Sequence, residues 1–478
     1  MVVTCEIEFD INPFGTFYAG QVLTGRVTLQ ADKPKQVKGI VLKITGCADT
    51  SWKESTNRTK TDAKGHSKTE TETTHYRGHE DYIHSKTYLL SSSENQSAVI
   101  EPGIHTYTFA CHLPQTCPTS FEGIYGHIRY LIKVELVRPW KFNQNFTRGF
   151  TVLKVMDLNY DSPLLRVPCK SEATKIFCCG PCKSQPLDIQ VSLPQTGYVP
   201  GQTIPINVLV SNETNVKVEE LKLELVMLIC YYSQTPLTRT KNERIVVTKM
   251  KGDGVPVHCK KQFIYPLVVP ATPPTCFNLC RIIQIAYQIE VAAKVKGWHA
   301  NQTICTAVTI GNVPLLGVIQ SQPTAKSSMS NGAVPRSLEF NDASSSSNTD
   351  IKENKSNTAD NLKSANLENA IQVGSVEGTS SAIMIDTPPS PWAADANIPP
   401  PSYEAAVHMK KAKLSPSEGQ EYGETEFTPR YPVFHIRSLS TSGVDEVDVP
   451  TVAGTAVNGV SDVTGATNNN TPEKSTWL

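Results

Sequence analysis

From residue 1 to about 316, apolar and polar positions alternate with the period of a β-strand. In the clearest run, Ile128, Tyr130, Ile132, Val134 and Leu136 are interleaved with Arg129, Lys133 and Glu135. A period of two places the first set on one face and the second on the other, so it predicts a strand with one buried face. Ile283, Ile285, Tyr287, Ile289 and Val291 repeat the pattern, with Gln284, Gln288 and Glu290 turned the other way. Ile40, Leu42 and Ile44 give a shorter example. Pro and Gly punctuate these runs, and no long segment carries the helical period. The expected class is all-β, built from antiparallel sandwiches.

The strand region also repeats. Tyr18-Ala19-Gly20-Gln21 precedes the apolar positions Val27 and Leu29, and Tyr198-Val199-Pro200-Gly201-Gln202 precedes Val208 and Val210. Leu113-Pro114 then leads through a Cys-Pro loop into the Ile128–Leu136 run, as Val269-Pro270 leads through a Pro-Cys loop into the Ile283–Val291 run. Two landmarks in the same order predict two copies of one sandwich, each of ~150 residues, an ordinary domain size. Ser162-Pro163, Pro168 and Gly180-Pro181 interrupt the pattern between them. The expected division is a first domain over 1–160, a linker over 161–185 and a second domain over 186–316.

After residue 316 the alternation stops. Ser327-Ser328, Ser344–Ser347, Asn348, Asn354, Asn357 and Asn361 mark a polar, low-complexity stretch, and Asn468–Asn470 continue it. Such composition buries too little apolar surface to offset the entropy of ordering, so 317–478 is expected to be a disordered tail. Within it lies Pro400-Pro401-Ser402-Tyr403, a PPxY sequence. Adjacent prolines hold the backbone near polyproline II and lose little entropy on docking. The aromatic grooves of WW domains take such segments, and Tyr403 adds a large ring with a polar tip. About 80 residues of coil would let the motif range roughly 50 Å from the last strand. The motif is therefore expected to be reachable rather than buried.

Composition narrows the function. The chain has 478 residues and a formal net charge of zero, which gives no electrostatic ground for a nucleic-acid partner. No apolar run reaches the ~20 residues that span a bilayer, and the first residues have neither a cationic nor an apolar signal-like stretch. A soluble, cytoplasmic protein is expected. The 13 cysteines are odd in number and irregular in spacing, unlike a secreted disulfide framework.

These landmarks together resemble the α-arrestins, the arrestin domain-containing family. In the first half the resemblance is carried by Phe17–Gly25, Val37–Ile40, Thr45-Gly46-Cys47-Ala48 with Trp52, Ser120-Phe121-Glu122-Gly123, Gly126–Tyr130 and Arg138-Pro139-Trp140. The second half contributes Phe177–Cys182, Gly197–Gly201, Pro273-Pro274 and Cys280–Tyr287, and the tail Pro400–Ala406 and Phe427–Phe434. The resemblance implies two tandem arrestin-like, immunoglobulin-type β-sandwich domains. It also implies a non-enzymatic adaptor. The arrestin module would engage receptor or transporter cargo, and Pro400, Pro401 and Tyr403 would recruit a HECT-type ubiquitin ligase through its WW domains. Cargo would then be ubiquitinated, endocytosed and sorted, with the adaptor drawn through its partners to the plasma membrane and endosomes. The chain departs from many relatives in carrying one PPxY, because Thr428–Phe434 lacks two adjacent prolines. A second tethered site would raise avidity by roughly 10²–10⁴-fold. Two alternatives stand beside this reading. One is an arrestin-fold trafficking scaffold that recruits no ligase. The other is a redox regulator, since one family member binds thioredoxin.

No catalytic set, metal site or cofactor is expected. Cys178, Cys179 and Cys182 suggest zinc only if Cys169, Cys276, Cys280 or a histidine completes four ligands, and adjacent cysteines fit one ion badly. His66, His75, His79 and His84 lie in a polar insert expected to be a long exposed loop. Arg129 and Lys133 share a strand face, either simply solvated or a basic surface for acidic cargo tails. Thr387, Ser390 and Ser415 precede prolines, and Ser440 follows Arg437, so these four are candidate phosphorylation sites. A phosphate at Ser390 would retune ligase binding by its charge. Lys410, Lys411 and Lys413 are candidate ubiquitin acceptors.

Overall fold

A computed structural model of the chain describes residues 3–61, 67–91, 97–179, 182–183, 185–316, 400–406, 408–409, 411–414 and 420–435. The alternating runs are strands. Gly126–Val137 alternates buried and partly buried residues along its whole length, and Thr203–Asn212 and Ile283–Val295 do nearly the same. Apolar residues at every second position thus line one sheet face, and the facing sheet covers it.

The first sandwich packs a three-stranded sheet, ordered Val3–Phe9, Val22–Ala31, Gly103–His112, on a larger one. That sheet runs Thr16–Tyr18, Gln144–Leu153, Gly126–Val137, Gly39–Thr61, Ser67–Ser91. The second sandwich has the order Cys169–Lys175, Leu187–Leu193, Thr203–Asn212, Cys259–Val268 facing Gly197–Tyr198, Gln302–Ile310, Ile283–Val295, Val218–Tyr232, Thr240–Gly252. The fold is all-β with two tandem sandwiches, as the alternation predicts.

The internal repeat holds down to single hydrogen bonds. Gly20 and Gly201 adopt φ of 94° and 91°, a left-handed region open to glycine at little cost. Gly20 N donates to Leu113 O (3.0 Å) and Leu113 N to Gln21 O (2.9 Å); Gly201 N donates to Val269 O (2.7 Å) and Val269 N to Gln202 O (3.0 Å). In each copy the glutamine side chain caps the same turn, Gln21 Oε1 accepting from Tyr18 N and Gln202 Oε1 from Val199 N. The buried Tyr130 donates to Pro118 O (2.7 Å), and its counterpart Tyr287 to Pro273 O (2.6 Å). A buried phenol needs such an acceptor, so each sandwich ties its strand to its Pro-rich loop.

Two expectations differ from the structure. The histidine-bearing insert is no loop: Gly39–Thr61 and Ser67–Ser91 form one long antiparallel hairpin, paired from Gly39↔Ser91 to Thr61↔Ser67 with the register shifting between Ile40 and Val41 and between Gly46 and Cys47. Beyond Trp52 and Tyr76, which stack at 5.5 Å, the described residues of both strands are polar, so apolar alternation is absent there. His66 lies outside the described residues. The expected linker over 161–185 contains a strand, Cys169–Lys175, which edges the second sandwich along Leu187–Leu193. Ahead of that strand the chain makes a helical turn at Leu158–Asp161 and a 3-10 turn at Pro163–Arg166.

The sandwiches touch through polar contacts. Glu80, almost fully buried, accepts from Arg281 Nε (2.9 Å) and Arg281 N (3.1 Å). Thr50 donates to Tyr232 O (2.8 Å), and Asn312 bridges Met156 N and Lys154 O at 2.7 Å each.

Candidate functional site

The PPxY motif does not stand free. Ser402–Ala405 pairs antiparallel with Arg430–Val433, in the register Ser402↔Val433, Tyr403↔Pro432, Glu404↔Tyr431, Ala405↔Arg430. Pro401 is buried, Pro400 is exposed and Tyr403 is half-buried against the core. The Tyr403 hydroxyl lies 3.5 Å from that of Tyr18. Burial pushes both phenols above their ordinary pKa, so both stay protonated at neutral pH. Arg430 braces the pair: its guanidinium donates to Tyr403 O (3.3 Å) and sits 4.9 Å from the Phe14 ring, while its backbone N donates to Thr151 Oγ1 (3.2 Å).

Three aromatic anchors hold this segment, one per contact region. Phe427 packs on Gly149 so closely that a Cβ there would stand 2.4 Å from the ring. Tyr431 is fully buried, and its hydroxyl donates to Ser120 O (2.8 Å) on the first sandwich. Phe434 is fully buried among Leu158, Leu165, Val199 and Leu315. Its N donates to Pro200 O (2.9 Å), and a Cβ on Gly201 would fall 2.1 Å from its carbonyl oxygen. Gln420–Gly423 adds a parallel strand to Gln144–Thr147, where Phe146 and Tyr422 stack at 5.3 Å. Glu424 closes it by accepting from Gly149 N (3.0 Å) and facing Arg148 (3.7 Å).

The expectation of an exposed motif is therefore corrected for the described residues between 400 and 435. Composition averaged over the tail hides Tyr403, Phe427, Tyr431 and Phe434, which find apolar surface on distant parts of the chain. The Phe427–Phe434 run that carries part of the family resemblance is the anchor itself. Residues 317–399 and 436–478 lie outside the described residues.

The remaining expected sites sort as follows. Thr387, Ser390, Ser415, Ser440 and Lys410 lie outside the described residues. Lys411 is exposed and faces Glu426 at 3.2 Å; Lys413 is exposed on the Ala412–Lys413 strand. Cys178 and Cys179 pair with Lys183 and Cys182 in a small hairpin whose side chains lie outside the description. Cys276 and Cys280 are buried in the second sandwich. Arg129 is held by a two-pronged ion pair to Glu122 (2.7 and 2.8 Å), and Lys133 faces Glu135 at 3.9 Å. That strand face is consequently charge-paired rather than bare and basic.

One cluster has no precursor in the sequence reading. Cys47, Asp49 and His79 bring potential ligand atoms within 4.8 Å of one another. His79 Nδ1 lies 2.7 Å from Asp49 and its Nε2 3.1 Å from Asp81, which raise its pKa, the Asp49 hydrogen bond most. Across the sheet, His127 is pushed down to about 4, first by burial and then by Arg129. Cys47-x-Asp49 on one strand was the available signal, but only the hairpin register sets His79 beside it.

Comparison with known proteins accords with this architecture. Residues 5–159 match the arrestin (or S-antigen) N-terminal domain, and residues 183–315 the arrestin (or S-antigen) C-terminal domain. Arrestin domain-containing protein 17 of Caenorhabditis elegans is 27% identical over 442 residues, covering 90% of this chain and 98% of the relative. Arrestin domain-containing protein 4 of Mus musculus is 24% identical over 321 residues, 66% of this chain and 73% of the relative. Human arrestin domain-containing protein 1 is 26% identical over 212 residues, 44% of this chain and 47% of the relative. Two sandwiches in tandem, the matching domain models and these relatives together establish that the chain belongs to the arrestin domain-containing, or α-arrestin, family.

Proposed function

We propose that this chain is a non-enzymatic adaptor that links membrane receptors or transporters to a WW-domain HECT-type ubiquitin ligase, promoting cargo ubiquitination, endocytosis and endosomal sorting. The observation that carries this reading is Pro400-Pro401-Ser402-Tyr403 in the same chain as an arrestin module. Prolines pre-set the extended backbone and the tyrosine supplies the aromatic anchor that a WW groove takes. The protein works in the cytoplasm and reaches the plasma membrane and endosomes through its partners. Among the described residues, no helix is long and apolar enough to cross a membrane.

Capture by an immobilised WW domain of the PPxY-binding class tests the reading. Tyr403→Ala is expected to abolish capture while the thermal unfolding of the sandwiches is retained. Capture of the variant at the wild-type level would show that ligase docking does not use this motif. For the thioredoxin-binding alternative, three of the buried thiols are poorly suited. Burial pushes Cys111 and Cys280 up to about 11 and Cys117 up to about 12, far from the thiolate that disulfide exchange requires.

A further inference from the structure

We propose that the arrestin module carries a peptide-binding groove whose ligand is the chain's own PPxY segment, so that groove and WW domain compete for Pro401 and Tyr403. The proposal rests on the ligase reading above and adds its regulation. A WW domain needs the two prolines and the tyrosine on one open polyproline II face. In the docked segment Pro401 is buried and Tyr403 turns its ring to Tyr18. Ser402–Ala405 is engaged in a ladder with Arg430–Val433. One set of side chains serves both partners, and the two arrangements exclude each other.

The groove is built from both sandwiches. Tyr18, Ser120 and Thr151 come from the first; Pro200 and Gly201 come from the second. Gly201 contributes more than its turn, because any side chain there would collide with the backbone of Phe434. The anchors Tyr431 and Phe434 lie outside the PPxY sequence, so the segment can stay docked through residues that a WW domain never contacts. A ligand whose competent form is only a fraction of the population binds more weakly by that fraction. By reciprocity, whatever empties the groove raises WW affinity by the factor with which WW binding empties the groove.

The test compares one recombinant WW domain titrated against a synthetic peptide of residues 396–410, the intact chain, and the intact chain carrying Phe434→Ala or Tyr18→Phe. The intact chain is expected to bind at least roughly tenfold more weakly than the peptide. Phe434→Ala, which leaves the motif untouched, is expected to bring it to within about twofold of the peptide, and Tyr18→Phe to move it part of the way. Hydrogen exchange of residues 402–405 in the unmodified intact chain needs no variant to fold; protection there is expected, with loss of protection when WW domain is added. Equal affinity of peptide and intact chain, or exchange at 402–405 as fast as in the peptide, overturns the competition while leaving the ligase reading in place. Failure of the peptide itself to bind removes the ligase reading and the competition with it.

Discussion

Replacing Tyr431 separates the hydrogen bond from the packing that holds the tail on the module. Its ring is fully buried, and its hydroxyl donates to Ser120 O at 2.8 Å. Tyr431→Phe keeps the ring and strips a buried carbonyl of its donor, a loss of about 1–1.5 kcal/mol. Tyr431→Ala also leaves a cavity of aromatic size, with a total cost of about 3–5 kcal/mol. The tail segment opens without melting either sandwich, so the loss falls on local docking rather than on global stability. Hydrogen exchange at 402–405 and 430–433 reads that equilibrium directly. Every 1.4 kcal/mol is tenfold, so Phe should accelerate exchange by roughly five- to tenfold and Ala by more than about a hundredfold. The midpoint of global unfolding should move little in either variant. Unchanged exchange in Tyr431→Ala, or an equal effect of Phe and Ala, would refute the view that this ring anchors the segment.

Other outcomes follow from the same contacts. Arg281→Ala removes the cationic partner of the buried Glu80 carboxylate but leaves its bonds from Tyr82 Oη and the backbone N of residue 281, and should cost about 1–2 kcal/mol in denaturant unfolding, toward the low end because Arg281 itself is exposed. For His127, held down to about 4 by burial and Arg129, the unfolded state binds the proton first. Stability should therefore fall as pH drops from about 6.5 to about 4, and His127→Gln should flatten that slope in pH-dependent melts. His79 is raised by Asp49 and Asp81, so its contribution is complete below about 6.5 and fades as pH rises through its folded midpoint. Its NMR titration should drop toward the ordinary range in Asp49→Asn. Among the described thiols, maleimide at neutral pH should label the exposed Cys305 first and leave Cys111, Cys117, Cys276 and Cys280 unlabelled until the chain unfolds.

The parts of this fold that the sequence reveals are those that bury a continuous face. Gly126–Val137 and Ile283–Val295 sit at the centre of their sheets, and every second side chain must be apolar, so the pattern is complete. The Gly-Gln turns were legible because a left-handed glycine and a capping glutamine are demanded by the same local geometry in both copies. The polar outer part of the hairpin and the edge strand Cys169–Lys175 left no such trace, since polar or small residues suffice where a strand lies against solvent. The candidate site was half legible. Pro400, Pro401 and Tyr403 announce a docking peptide by their covalent stiffness and ring. Their resting place depends on Tyr18, Ser120 and Gly201, hundreds of positions away in the chain, and no local pattern encodes that meeting.

The adaptor account is tested most directly by proximity labelling in cells from the intact chain and from Tyr403→Ala, at matched expression. The expected result is loss of WW-domain ubiquitin ligases and their associates from the variant, with membrane receptors or transporters retained by both. An identical set of neighbours from the two proteins would contradict it.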